Sequence, residues 1–282
     1  MLWATVLAVV FVLGASAFLF PPNGGGGGGR GGAGASVSTL KLLQFNVLQG
    51  ATGGRAAGVV AVIKDSGADV VTLDEVNVPK IFDQIAAATQ LHSYYVQSRD
   101  GYNVGILSRF RLGICTSYIQ PPLHHGAFGC PIQIAGTTWW IFGAHLCPCS
   151  NENERVQEAT FLLSQMKPHT QNAETPVVLS GDLNSRAPPE TSPKPLLVIP
   201  LLESSGYVDS FRELHTAQQD PGFTVSSPTY GGYWHHRVDY VFHSADVHAT
   251  AARVISSVAG YTWPSDHAAL YVTLVNGAKP TS

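Results

Sequence analysis

Apolar residues recur along this chain in two rhythms, which separate short strands from amphipathic helices. Residues 40–47 and 69–73 are brief β-rich runs, and residues 55–65 between them carry Ala and Val at helical spacing, so the chain opens as β-α-β. A second helical stretch, 78–89, leads to strand candidates at 93–97, 103–107, 113–119, 128–134 and 138–144, a portion that reads as largely antiparallel. Residues 151–166 predict a long helix: Val156, Ala159, Phe161, Leu162 and Leu163 make a broad apolar face, Asn and Glu occupy the first turn, and Pro168 ends it. An apolar strand at 177–179, a Pro-rich loop at 187–195, a short helix at 196–204 and strands at 238–242, 249–254 and 268–274 follow. Strands this apolar need cover on both faces. The expectation is therefore an α/β fold of two sheets packed face to face, with helices on their outer sides.

The N-terminus departs from that pattern. Residues 2–20 are apolar or small without a charge, near the length that spans a bilayer, whereas Ala15-Ser16-Ala17 has the small-x-small form of a signal-peptidase site. Both a cleaved signal peptide and a retained anchor fit, and the cleavage site favours secretion. Residues 21–35, mostly Gly, have nothing to pack with and read as a linker. The folded domain is expected over 36–276, with a tail at 277–282. Residues 36–282, with 15 basic and 19 acidic residues, have no basic excess of the kind that drives non-specific binding to long nucleic acids. Entry into the secretory route makes disulfides expected for Cys115, Cys130, Cys147 and Cys149, in any of three full pairings. A structural zinc site is the weaker reading of Cys147-Pro148-Cys149, since a one-residue spacer falls short of the usual two to four.

Polar groups cluster at the ends of the apolar runs. Asn46 ends the first strand, Glu75 follows the second, and His145 follows Trp140-Ile141-Phe142-Gly143-Ala144. Gly181-Asp182-Leu183-Asn184 follows Val177-Val178-Leu179-Ser180, Asp239 opens a strand after Arg237-Val238, and Ser265-Asp266-His267 precedes the last one. Singly, each fits a turn, a helix cap or a satisfied core residue. Six together are costly to bury unless they satisfy one another or a cation. A metal-centred site is the economical reading.

In order and wording these motifs resemble the endonuclease/exonuclease/phosphatase superfamily, the DNase I-like phosphoesterases. Connecting phrases such as Gly105-Ile106-Leu107-Ser108-Arg109 and Gly206-Tyr207-Val208-Asp209-Ser210-Phe211 extend the likeness from about residue 40 to 274. The resemblance implies a four-layer α/β sandwich with two mixed, largely antiparallel sheets, and hydrolysis of a phosphodiester or phosphomonoester assisted by Mg²⁺, with Mn²⁺ as a substitute. It further implies Asn46, Glu75 and Asp266 at the metal, His267 oriented by Asp239 as the catalytic pair, Asp182 and Asn184 facing the phosphate, and His145 contacting it. Either His267 with Asp239 or Asp182 would then take the proton of the attacking water. Asn103, Arg155 and Trp234 are further candidates for substrate contact. Because Glu158 stands where the family often has Gln, a helix salt bridge is the favoured reading of Arg155 over a phosphate contact. Asp74, in place of a frequent Gln, either alters metal affinity or points to the face opposite Glu75, and the second is favoured because neighbouring strand residues alternate sides. His235-His236 is given no metal role on the same ground. A small or membrane-borne phosphoester is favoured as substrate. A DNase I-like endonuclease and a catalytically silent binding module are the alternatives. Nucleic acid, and a membrane through residues 2–20, stay open as partners, whereas no protein partner is implied and a monomer is expected.

Overall fold

Strand β1 (Ser38–Asn46) shows how one short segment serves two layers. Alternation sends Leu40 and Leu42 into one apolar cluster and Leu43 and Phe45 into another, on opposite faces of the strand. The computed structural model describes residues 37–170, 175–187, 196–226 and 232–277. The N-terminal run and linker, most of the Pro-rich loop, Tyr230-Gly231 and nearly all of the C-terminal tail lie outside the described residues. Among the described residues no helix is long and apolar enough to cross a membrane.

The first sheet has six strands in the order β13 (Val247–Ile255), β14 (Ala269–Asn276), β1, β2 (Val70–Asp74), β4 (Val104–Ser108) and β3 (His92–Val96). The second runs β5 (Thr116–Tyr118), β6 (Ala127–Ile134), β7 (Thr137–Ala144), β8 (Val177–Asp182), β12 (Asp239–Ser244) and β9 (Tyr207–Asp209). Each holds one parallel pair, β1 with β2 and β7 with β8, among antiparallel neighbours. A two-stranded ribbon joins β10 (Val225–Ser226) to β11 (Trp234–His236). Between the sheets lie Leu40, Leu42, Val70, Ile106, Phe128, Trp139, Ile141, Val178, Val241 and Val272, all buried. The short turn α1 (Leu48–Ala51) with α2 (Ala56–Ser66) and α3 (Pro79–Thr89) covers the outside of the first sheet, and α4 (Glu152–Thr170) with α5 (Val198–Ser204) covers that of the second. The α/β sandwich of four layers is therefore present. Each fully buried aliphatic side chain stabilises it by about 1.5–3 kcal/mol.

Some elements differ from expectation. Helix α4 continues through Pro168 to Thr170. Proline in a last turn forfeits only its bond to the carbonyl four residues back, here on exposed Ser164, and His169 anchors the turn by stacking 3.7 Å from Trp140. The strand expected at 113–119 shrinks to three residues, and β9, β10 and β11 are too short for periodicity to reveal. Cys115 pairs with Cys130 and Cys147 with Cys149. Asp209 at the end of β9 meets Arg237 just before β12 at 2.6 Å, both side chains at most 2% exposed, and the guanidinium lies 4.4 Å from the Tyr240 ring centroid.

Candidate active site

Followed toward one edge of the sandwich, the face that each central strand turns to the other sheet changes from apolar to polar. Leu40-Leu42-Gln44-Asn46 on β1, Val70-Thr72-Asp74 on β2, Val178-Ser180-Asp182 on β8 and, running oppositely, Val241-Asp239 on β12 share this gradient. The polar ends meet across the two layers. Gln44 donates to Asp74 Oδ2 at 2.5 Å and accepts from Thr72 at 2.6 Å, Thr72 and Ser180 share a hydrogen bond of 2.6 Å, and the Asp182 amide donates to Asp74 Oδ2 at 2.7 Å. β7 and β8 approach so closely here that a Cβ on Gly181 would lie 1.8 Å from the Ala144 carbonyl oxygen. Only glycine fits.

On that floor stands His267, its Nδ1 2.8 Å from Asp239 Oδ2 and its Nε2 3.7 Å from Asp182 Oδ2. The backbone holds it from both sides: its amide donates to Ser265 Oγ, its carbonyl accepts from Trp263 Nε1, and the Asp239 amide donates to Thr224 Oγ1. Burial alone would pull the imidazole down, but the carboxylates of Asp239 and Asp182 outweigh it and raise it to about 10. Burial, then the charge of Asp239, pushes the Asp182 carboxyl up to about 7. Asn46 Nδ2 donates to Asp182 Oδ2 at 3.1 Å and to Glu75 Oε1 at 3.2 Å, linking the acid of one sheet to that of the other. Asn184, in a left-handed conformation (φ 46°), donates its amide to Asp182 Oδ1 and its side-chain nitrogen to the Leu146 carbonyl, 3.1 Å from His145 Nε2. Because that nitrogen is a donor, His145 Nε2 is the acceptor and the ring proton sits on Nδ1. Burial holds the His145 imidazole well below the ordinary histidine range, so the ring is neutral.

The residues expected to hold a cation fit one. Glu75 is half-buried, also left-handed (φ 56°), and among the described residues its carboxylate receives hydrogen bonds only from Asn46 and the Gln49 amide. Among the described residues the buried Oδ1 of Asp266 has no hydrogen-bond partner, the kind of atom a cation satisfies. Carboxylate and amide oxygens suit a hard divalent ion. Asp182, Asp239 and His267 also bring one donor atom each within 4.8 Å of one another. Beside Asp266 opens a depression of about 340 Å³ lined by Leu48, Arg55, Ser226 and Trp263 among others.

The structure corrects the direction expected for Asp74 and places the other candidates. Asp74 does not point away from the site but lies beneath it, since the left-handed turn at Glu75 breaks the alternation; burial, then the charge of Asp182, raises its carboxyl well above the usual range. Asn103 is buried between Tyr95, Ser98 and Asn77, and its carbonyl accepts from the Val76 amide, so it braces the segment after Glu75. Arg155 is buried against Glu152 and the carbonyls of Cys147 and Cys149, which makes it a helix salt-bridge residue. Trp234 lies half-buried on β11, opposite Ser226. The rings of His235 and His236 do not diverge: their centroids are 4.4 Å apart.

A pair that sequence reasoning missed adjoins His145. His125 is 5% exposed, its Nδ1 is 2.6 Å from Asp100 Oδ2, and its ring lies 4.4 Å from that of His145 and 4.7 Å from that of Tyr102. Among the described residues, His125 Nε2 and His145 Nδ1 are both buried without hydrogen-bond partners. No motif announces this group, because Asp100 and His125 come from separate loops that only the folded sheet brings together.

These features match a known scaffold. The chain belongs to the endonuclease/exonuclease/phosphatase family, whose model matches residues 43–267. That is a superfamily of divalent-metal-dependent phosphoesterases. Among solved structures, humanized TDP2 from D. rerio has a TM-score of 0.67 at 20% identity, covering 84% of this chain and 98% of its own. The human Nocturnin catalytic domain, solved with a sulfate anion, has a TM-score of 0.67 at 18% identity over 84% of this chain and 94% of its own. A family protein from Beutenbergia cavernae has a TM-score of 0.66 at 18% identity over 87% and 73%. At these identities the likeness establishes the fold. No curated protein matches the sequence significantly.

Proposed function

We propose that this chain hydrolyses a phosphoric ester with a divalent cation, Mg²⁺ in first place, at the edge where Glu75, Asp182, Asp239 and His267 converge. One observation carries the reading: residues scattered from Asn46 to His267 form a single hydrogen-bonded constellation across two sheets. A bound cation, held by Glu75 and Asp266 beside Asn46, would neutralise and polarise the phosphoryl oxygens. The chain's own groups do the rest. Asp182, raised to about 7, is poised to take a proton from attacking water at Oδ2, and His267, raised to about 10, is cationic at neutral pH and faces the charge that grows on the phosphoryl group. Asp239 keeps the His267 ring in one orientation. Neutral His145 and Asn184 line the same wall.

A compact phosphoester, small or membrane-borne, suits the limited depression beside Asp266 and the slight acidic excess better than a long nucleic acid does. The apolar residues 2–20 and the two disulfides support a place in the secretory pathway, secreted after cleavage or anchored without it. Sequencing the mature N-terminus separates the two: a start at Phe18 means release, and an intact Met1 in the membrane fraction means anchoring. Activity is tested with a generic phosphodiester, which should be cleaved with Mg²⁺ and not with EDTA. Undiminished turnover in metal-free buffer would overturn the proposal. A panel of sphingomyelin, phosphoinositides, sugar phosphates, RNA and single- and double-stranded DNA then ranks substrates. Single-stranded DNA tests the likeness to D. rerio TDP2, which has been solved with a single-strand DNA product.

A further inference from the structure

Next to the His145 wall of the site, the loop before β6, the segment between β7 and α4 and the first turn of α4 bring four metal-binding side chains together. His124, Cys147, Cys149 and Glu154 each offer one donor atom within 4.8 Å of the others. Two buried residues of α4 frame the corner. Glu158, wholly buried, accepts from the His124 amide through Oε1 and from the Cys147 amide through Oε2, both at 2.9 Å, tying the histidine-bearing loop to the cysteine-bearing one. Arg155 donates to the carbonyls of Cys147 and Cys149. The donor set is therefore held by a structure built around it.

One edge of the set already has the spacing of a tetrahedral ion. Nitrogen and oxygen ligands bound at about 2.0–2.1 Å to one tetrahedral zinc stand roughly 3.3–3.4 Å apart, and His124 Nε2 lies 3.3 Å from Glu154 Oε2. The two sulfurs complete an S₂NO set of thiolates, imidazole and carboxylate, which suits a borderline-soft ion such as Zn²⁺. The corner is also accessible: His124 and Glu154 side chains are 47% and 40% exposed, and Cys149 is half-buried. In the structure the sulfurs are bonded to each other, so neither is a thiolate.

We propose that Cys147, Cys149, His124 and Glu154 form a thiol-gated zinc site: closed as the disulfide, open once a dithiol reductant has acted. A thiolate of the reductant attacks Cys149 Sγ and the Cys147–Cys149 bond breaks; its second thiol then resolves the mixed disulfide, leaving two protein thiols and an oxidised reductant. Zn²⁺ binds as two protons leave Cys147 and Cys149. The one-residue Cys spacer, poor for a self-contained zinc finger, suffices because His124 and Glu154 come from other parts of the fold.

The test uses the full chain, oxidised or treated with a phosphine reductant, then loaded with Zn²⁺ or Co²⁺ and desalted. The reduced chain should retain about one Zn²⁺ through thiolate ligands, and Co²⁺ should give thiolate-to-metal charge-transfer absorption, which the oxygen-rich Glu75–Asp266 site cannot produce. The oxidised chain should show no such band. His124→Ala and Glu154→Gln alter exposed side chains, and each should weaken retention at least about 10-fold, a loss beyond that of a site made by two cysteines alone. Three results would overturn the proposal: no thiolate-bound metal after reduction, the same band in the oxidised chain, or unchanged affinity in both surface variants.

Discussion

Replacing Asp239 by Asn keeps the shape of the group against His267 Nδ1 and removes its charge. The site, with His267 raised to about 10 from an ordinary 6.5, prefers imidazolium over imidazole by roughly 5 kcal/mol despite burial. Asp239 supplies the largest of the favourable contributions through its charge and adds the 2.8 Å hydrogen bond, whereas Asp182 stands farther off at 3.7 Å. In Asp239→Asn the imidazole is expected to fall toward or below its ordinary value. Asp182 should fall too, because it loses the repulsion that helps hold it near 7. Following imidazole ¹⁵N shifts in metal-free protein across about pH 5 to 11 reads the first change directly. Hydrolysis with saturating Mg²⁺ should slow by roughly 10²-fold or more as the imidazole loses charge and orientation. His267→Ala should be equally slow, and combining the two should add little. An imidazole that still titrates near 10 in the variant, or two rate losses that multiply, would refute the pairing.

Three further outcomes are expected. Glu75→Gln should lower activity sharply and recover partly at high Mg²⁺, measured as turnover against metal concentration. Asp209→Ala should destabilise the fold by about 3–5 kcal/mol by removing the carboxylate 2.6 Å from the buried Arg237 guanidinium, a melting-temperature drop of roughly 6–20 °C by circular dichroism, and the double variant Asp209→Leu with Arg237→Met should regain most of it. Asp182→Asn should abolish turnover yet stabilise the fold at alkaline pH. The raised Asp182 carboxyl supports folding below its ordinary 3.8 and loses that support as pH rises to about 7, so the variant's gain should appear at about pH 8 and vanish below about pH 4 in thermal melts.

Periodicity made β1, β2, α2, α3, β6, β7, α4 and β12 legible, since each buries a face long enough to repeat. The likeness of strand-end phrases marked Asn46, Glu75, His145, Asp182, Asn184, Asp239 and His267 before the structure placed them together. Residues acting between layers stayed hidden. Gln44, Thr72 and Ser180 read as polar interruptions of apolar strands, and only the stacking of β1, β2 and β8 shows that they form the floor under Asp182. Asp74 was misplaced because alternation holds only while the backbone remains extended, and Glu75 does not. His125 and Asp100 lay beyond reach for the same reason that a contact between distant loops has no local signature. Arg155 donates to the carbonyls of Cys147 and Cys149, and Asn103 holds the backbone at Val76 and Ser98, contacts that no single phrase of the sequence announces.

The gradient from apolar to polar along the inner faces of β1, β2, β8 and β12 sets which changes of length the chain can survive. A residue inserted within β8 would turn Asp182 toward the α4 side and Leu179 toward the other sheet, so the acid and the dry core would be lost in one step. Insertions in the turn between β6 and β7 move neither. Selection for a sound interior and selection for chemistry therefore act on the same reading frame of these strands, and the segments beyond their polar ends are where lengths can diverge and new substrates be acquired.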